Sequence, residues 1–319
     1  MNIKSKERMR EHVEKENVEF RYYEMPQGMP VLALLGEKWI TEYGTDPMHF
    51  HNYLEIGYCY SGKGEMYFGE ESVPYRADTV VVIPRNYPHR TQGIQGQIQK
   101  WEYLYVDSEK FLKEQFAREG YVADELIRRL HSRMFLITKD MDPYVGRKVR
   151  NLLDELREKK EFYREAVQGE LRSLLLSLIR FNPGDSGQRE VIYQNRYLGE
   201  ILQIVEYMDG HYQDDIRMDD LMQICHMSET HFRRKFSEYM RITPGDYINL
   251  LRVKKVCELL HYTDCSIGDA GIQAGFQTDS ALIRNFRKFT GTTPREWRKQ
   301  TQKEIDNPMN YNISVLKGW

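Results

Sequence analysis

Two consecutive segments near the C-terminus are built to one plan, and no other feature restricts the fold of this chain as much. The first runs from Met218 to Pro244 and the second from Ser266 to Pro294. Each carries a short helical pattern, a tight turn, a second helical pattern with aromatic residues on one side and basic residues on the other, and a loop ending in Thr-Pro. In the first, Ser228-Glu229-Thr230-His231-Phe232-Arg233-Arg234-Lys235-Phe236 leads to Ile242-Thr243-Pro244. In the second, Gly275-Phe276-Gln277-Thr278-Asp279-Ser280-Ala281-Leu282-Ile283-Arg284-Asn285-Phe286-Arg287-Lys288-Phe289 leads to Gly291-Thr292-Thr293-Pro294. One such helix is an ordinary solvated face of a bundle; a tandem pair is not explained that way.

The local chemistry of both segments predicts a helix-turn-helix. Ser266 can cap a helix starting at Ile267, and Gly275 stands where the turn needs a left-handed residue. The next helix starts near Thr278, with Leu282, Phe286 and Phe289 packed and Ser280, Ala281, Ile283, Arg284 and Arg287 on or beside the exposed side. In the first segment Ser228 caps, Phe232 and Phe236 pack, and Thr230, His231, Arg233 and Arg234 face out. Small polar residues in a first helical turn with arginine behind them suit a DNA major groove, where arginine forks onto guanine. Pro244 opens a connecting helix, Gly245 to Leu260, about 24 Å long at 1.5 Å per residue. That spacing lets two reading helices enter successive grooves about 34 Å apart.

Whole-chain charge does not point to nucleic acid: 46 basic residues against 48 acidic ones give a net charge of −2. Any polyanion site must therefore come from local clustering. Arg233, Arg234, Lys235, Arg252, Lys254, Lys255, Arg284, Arg287 and Lys288 supply it on the reading and connecting helices, where phosphate neutralisation drives non-specific binding.

Upstream the pattern changes twice. From Val31 to Val106, short alternating runs broken by Ser61-Gly62-Lys63-Gly64, Gly69 and Pro84-Arg85-Asn86 predict an antiparallel β-barrel or jelly roll. After Asp107 the period becomes helical, with Val145, Val149, Leu152, Leu153 and Leu156 on one stripe and Val167, Leu171, Leu174, Leu175, Leu178 and Ile179 on the next. These two helices form an antiparallel hairpin around Glu158-Lys159-Lys160-Glu161. Their apolar faces either cover the barrel or leave part of the stripe for a second subunit.

The fold expected is thus α+β and multidomain. An N-terminal arm and barrel occupy 1–107, a helical dimerisation region 108–181, a Pro/Gly/Ser linker 182–190, an all-α tandem helix-turn-helix domain 191–300 and a tail 301–319. Cys59, Cys225, Cys257 and Cys265 form no CxxC pair and are expected as buried, reduced thiols. The segment Met1 to Arg8 is too polar for a signal peptide and no run reaches the roughly 20 apolar residues of a membrane span, so a cytoplasmic protein without membrane contact is expected.

At Gly275-Phe276, Ser280, Arg284, Phe286 and Gly291-Thr292-Thr293-Pro294, with Arg252 and Lys255 on the linking helix, the chain resembles the AraC/XylS family of bacterial transcription regulators over about Tyr197 to Arg298. The resemblance implies base contacts from Thr230, Arg233, Arg234, Ser280, Ala281, Arg284 and Arg287. Met222, His226, Gly271 and Ala281 depart from the family pattern.

Within the β region, His49-Phe50-His51, Glu55, Gly62, Pro84 and His89 resemble the cupin signature, in which two histidines, a glutamate and a later histidine converge on a divalent metal. His49 and His51 share a strand face, and imidazole with carboxylate suits Zn, Ni, Mn or Fe(II). Three readings of His49, His51, Glu55 and His89 stay open: a polar effector pocket without metal, a metal site, and plain packing. Trp39, Tyr53, Tyr58, Tyr60, Tyr67, Trp101 and Tyr103 could line such a pocket for a sugar ring.

The function expected is a one-component, effector-responsive transcription regulator. Its partners are double-stranded promoter DNA, a sugar or related small molecule, a second copy of itself and RNA polymerase. The competing reading is a metal-dependent cupin enzyme, an oxygenase or isomerase, with an accessory helical domain.

Overall fold

A computed structural model of the chain describes residues 19–303 apart from 24, 27, 42–45, 69–70, 182–195, 226 and 241. The chain divides between Ile192 and Tyr193 into two compact units. The expected linker 182–190, the N-terminal arm before residue 19, and residues 304–319 of the tail lie outside the described residues.

The N-terminal unit holds β1 (Glu19–Arg21), β2 (Val31–Leu34), β3 (Ile40–Thr41), β4 (His49–His51), β5 (Leu54–Ser61), β6 (Lys63–Phe68), β7 (Glu71–Arg76), β8 (Thr79–Ile83), β9 (Arg90–Gly93) and β10 (Gln99–Val106). Then come α1 (Ser108–Gln115), α2 (Gly120–Leu130), β11 (Phe135–Ile137), α3 (Pro143–Glu158) and α4 (Tyr163–Phe181). A six-stranded sheet runs β11-β8-β5-β10-β2, with β3 also on β10; β7-β6-β9 form a second sheet, and β1 pairs with β4 in parallel.

Side-chain alternation along β5, β8 and β10 gives the large sheet two buried faces. Cys59, Val81, Ile83 and Trp101 on one face pack with Met66 and Tyr75 of the smaller sheet. Leu54, Ile56, Tyr58, Val80, Val82, Leu104 and Val106 on the other meet α3 and α4. This double burial explains the unbroken apolar run Val80 to Ile83, buried along with Thr79 before it. The sheets stack as an open sandwich, so among the described residues the expected barrel is not closed by one continuous ladder.

The helical hairpin forms as its stripes predict. Asp142 caps α3 through Tyr144 and Val145 N–H groups, Pro143 takes the first turn, and Lys159 ends the helix at φ 48°. All eleven stripe residues, from Val145 to Ile179, are at most 7 % exposed within this single chain. The alternative of a leucine seam left for a second subunit is therefore corrected: the stripe is spent on the sheet. Sequence periodicity cannot make this distinction, because an apolar stripe looks the same whichever surface covers it. The strand β11, which returns to the sheet edge beside β8, is a further departure from the purely helical region expected there.

The C-terminal unit holds α5 (Arg196–His211), α6 (Met218–Ile224), α7 (Glu229–Met240), α8 (Pro244–Tyr262), α9 (Ile267–Gln273), α10 (Asp279–Thr290) and α11 (Pro294–Lys303). Its two halves repeat fifty residues apart: Ser228 and Thr278, Phe232 and Leu282, Phe236 and Phe286, Thr243-Pro244 and Thr293-Pro294, Tyr247 and Trp297. The packing repeats too. Phe236 meets Tyr247 at 5.9 Å between ring centroids and 65°, and Phe286 meets Trp297 at 6.0 Å and 79°. Ser266 caps α9 through the Asp269 N–H, Thr278 caps α10 through the Ala281 N–H, and Gly291 ends α10 at φ 76°. The connecting helix α8 has 19 residues, about 28 Å, slightly longer than expected.

Among the described residues no disulfide forms; Cys59 and Cys225 are buried, whereas Cys257 and Cys265 are half-exposed, contrary to expectation. No helix among the described residues is long and apolar enough to cross a membrane.

Candidate functional site

The N-terminal unit brings His49, His51, Glu55 and His89 together. β4 places both of its histidines on one side, since residues two apart share a strand face. A bridge between His49 and His89, with N–H···O distances of 2.9 and 2.8 Å, brings in the segment before β9. Glu55 projects from β5. The His49 and His89 rings lie 4.2 Å apart and His51 and His89 5.1 Å apart. All four side chains are at most 3 % exposed.

Each imidazole is oriented in the same way. Nδ1 of His49 meets the Pro47 carbonyl at 2.9 Å, that of His51 the Tyr53 carbonyl at 2.7 Å, and that of His89 the Tyr87 carbonyl at 2.9 Å. A carbonyl can only accept, so Nδ1 carries a proton in all three rings. Burial pushes His89 down to about 4, against the opposing pull of Glu55. Burial, aided by the positive charges of His89 and Arg21, takes His49 well below the usual imidazole range. Both are thus neutral near pH 7, with the Nε2 lone pair free to donate.

Burial alone would raise Glu55, but the His51 hydrogen bond, the charges of His89 and His51, and the Tyr105 hydroxyl outweigh it and bring the carboxyl to about 2. The Tyr105 hydroxyl donates to Glu55 Oε2 at 2.8 Å. His51 Nε2 lies 3.0 Å from the same oxygen.

Donor atoms of His49, Glu55 and His89 all lie within 4.8 Å of one another, a set that could hold a metal ion. Two neutral imidazoles, each fixed by a carbonyl behind it, and one ionised carboxylate fit a divalent first-row ion. His51 does not join that set; it faces Glu55. At ring separations of 4.2 and 5.1 Å the cluster leaves space for an ion or a water and none for a sugar ring, so the effector-pocket reading of these four residues is corrected.

The expected aromatic wall divides as well. Tyr58 and Tyr60 lie on the helix-facing side of β5 with Leu54 and Ile56, whereas Trp101 and Tyr103 stack at 6.0 Å on the other face. Sequence reading missed Tyr105, which pairs in register with Glu55 across β10 and β5, Tyr23 stacked on it at 3.7 Å, and the two-pronged Arg21–Asp46 pair at 2.6 and 3.1 Å. Tyr105 has the same strand parity as Trp101 and Tyr103, so its face was readable; the register that sets it opposite Glu55 was not. A separate cavity of about 300 Å³ lies between the sheet and α3, lined by Tyr60, Lys100, Glu102, Arg150 and Arg157 among others. Its floor is the buried Glu102 carboxylate, which accepts from the Gly36 N–H at 3.0 Å, the Tyr60 hydroxyl at 2.7 Å and Arg157 at 2.6 Å.

In the C-terminal unit Thr230, Arg233, Arg234, Ser280, Arg284 and Arg287 are exposed, while His231 and Ala281 are half-buried. Among the described residues no carboxylate lies within ion-pair distance of Arg234, Arg284 or Arg287. Arg233 is held by Glu229, one turn earlier on α7, at 2.8 Å. Of the broader set of cations, Lys235 pairs with Glu238, Lys255 with Glu258 and Lys288 with Asp246, surface pairs weak enough for a phosphate to replace. Arg252 donates to the Tyr212 and Asp214 carbonyls at 2.7 and 2.8 Å, which makes it a tie between α8 and the loop after α5. These bonds use two of the five guanidinium N–H donors.

This is a two-domain chain with a buried imidazole–carboxylate site in a sheet-rich unit and a doubled helix-turn-helix in the other. An AraC-like ligand-binding domain matches residues 33–175 and a helix-turn-helix domain matches residues 221–300; the chain belongs to the AraC family. An uncharacterised HTH-type transcriptional regulator of Staphylococcus aureus (strain COL) is 27 % identical over 125 residues, which are 39 % of this chain but 16 % of that protein. The bifunctional transcriptional activator/DNA repair enzyme AdaA of Bacillus subtilis (strain 168) is 34 % identical over 101 residues, 32 % of this chain and 48 % of AdaA. The chain therefore spans one sixth to one half of these relatives. ToxT from Vibrio cholerae aligns over 84 % of this chain and 97 % of its own, at 12 % identity and a TM-score of 0.37.

Proposed function

We propose that the chain is a one-component transcription regulator that reads double-stranded promoter DNA through α7 and α10. The observation that carries this is the recurrence, at one register of both second helices, of an exposed arginine with no acidic partner among the described residues: Arg234 and Arg284. Thr230, Arg233, Ser280 and Arg287 flank them; half-buried His231 and Ala281 contribute less. The protein acts in the cytoplasm as a homodimer that engages RNA polymerase, pairing through a surface other than the leucine stripes.

The sheet-rich unit is the sensor. His49, Glu55 and His89 would hold a divalent metal, which when bound supplies a positive charge joining β4, β5 and the segment before β9. The effector, a sugar or a related polar molecule, suits the charged cavity over Glu102, whose volume falls at the small end of ligand sites. Ligand at that place can act only by binding one arrangement of sheet and helices more tightly than another. We read the chain as a regulator and not an enzyme, since Tyr23, Tyr105 and the Arg21–Asp46 pair enclose the metal-type donors.

Gel retention on a matched and a scrambled duplex tests the reading. Arg284→Ala is expected to lower specific affinity by about 1–3 kcal/mol and relax base preference, whereas Lys255→Ala lowers retention on both duplexes alike. Equal losses on the two duplexes for Arg284→Ala would count against base reading.

A further inference from the structure

The two reading helices are not chemically equivalent. Fifty residues after Arg233, whose guanidinium is clamped by Glu229, stands Ile283. Ile283 is 47 % exposed, while Leu282, Phe286 and Phe289 on the packed side of α10 are at most 4 % exposed. It sits three residues after Ser280 and four before Arg287, so these three share one helical stripe. A β-branched residue half open to solvent gains less from packing than a core residue and is a poorer helix former than the lysine, glutamate or arginine usual there.

Its chemistry fits one feature of a major groove. Every base pair offers hydrogen-bonding groups there, but only thymine offers a methyl group, and an aliphatic side chain can recognise it by contact alone. We infer that Ile283 is a specificity-determining residue that reads a thymine methyl beside the base contacted by Arg284. The first unit, with Arg233 at the equivalent position, makes no such apolar contact. The protein's two half-sites therefore differ in kind, one read through arginine forks and the other through arginine plus a methyl contact. This rests on the DNA-reading role proposed above.

The test uses the full chain and a duplex selected by it from a randomised pool. Thymines are replaced one at a time by deoxyuridine, which removes the methyl and nothing else. Wild-type protein is expected to lose about fourfold in affinity at one thymine, the size of one buried methyl group. Ile283→Ala should bind the thymine and uracil duplexes equally, and Ile283→Val should retain part of the discrimination. Ile272→Ala, which removes a 72 % exposed isoleucine of α9, should behave as wild type. Indifference of the wild type to every thymine replacement, or an unchanged thymine-to-uracil ratio in Ile283→Ala, overturns the assignment while leaving DNA reading intact. Failure to select any preferred duplex overturns both.

Discussion

Glu55→Ala is expected to destabilise the sheet-rich unit by about 2–5 kcal/mol, since it leaves two buried polar groups unpaired at about 1–3 kcal/mol each. Glu55 is 3 % exposed and its Oε2 faces the Tyr105 hydroxyl at 2.8 Å and His51 Nε2 at 3.0 Å. Its carboxyl, held near 2, is ionised at neutral pH and is the acidic member of a cluster with three imidazoles. Alanine leaves the tyrosine hydroxyl and the His51 nitrogen facing a void. Glu55→Gln keeps the volume and an acceptor oxygen, so its stability loss should be smaller, about 1–3 kcal/mol. Urea unfolding read from the buried tyrosines separates the two variants. Both should lose retained zinc or manganese after dialysis, because a neutral side chain is a far weaker metal ligand. Retention of a matched duplex by either variant should be unchanged in the absence of effector. Wild-type stability in Glu55→Ala would show that the cluster is not the electrostatic centre described.

How far the sequence led depends on what kind of information each feature needed. Caps and turns are local, so Ser266 and Gly275 were legible from residue type. The inward parity of Phe232, Phe236, Leu282 and Phe286 followed from helical period. His49 and His51 were recognisable because alternation puts residues two apart on one strand face. The rest required tertiary information. That His51 faces Glu55 while His49 and His89 close the donor set depends on how β4, β5 and the segment before β9 meet, and no spacing encodes it. That Arg252 also ties α8 to the carbonyls of Tyr212 and Asp214, about forty residues away, is not visible in a sequence. The leucine stripes were visible, but what covers them was not.

Gly275→Ala should be the most damaging small substitution in the DNA-reading unit. Gly275 has φ +93°, and a Cβ there would lie 2.5 Å from the Gln213 carbonyl oxygen and 2.8 Å from its Cα. Two costs therefore combine. The left-handed backbone alone costs a non-glycine residue about 1–2 kcal/mol, and forcing backbone apart in a packed region adds about 1–3 kcal/mol. Gly291→Ala isolates the first cost, since Gly291 has φ +76° and a Cβ there would meet nothing within 4 Å. The difference between the two variants in thermal or urea unfolding thus measures the close approach of the α5–α6 loop to the second turn. That approach matters for function because Arg252 ties the same loop to α8, with its guanidinium 6.0 Å from the Phe276 ring. Together these contacts join the first helix-turn-helix to the second. Gly275→Ala should accordingly weaken retention of a duplex carrying both half-sites more than one carrying a single half-site, whereas Gly291→Ala should weaken both by similar factors. Equal destabilisation by the two alanines would mean that the loop yields freely and that the two reading helices are not held in register by it.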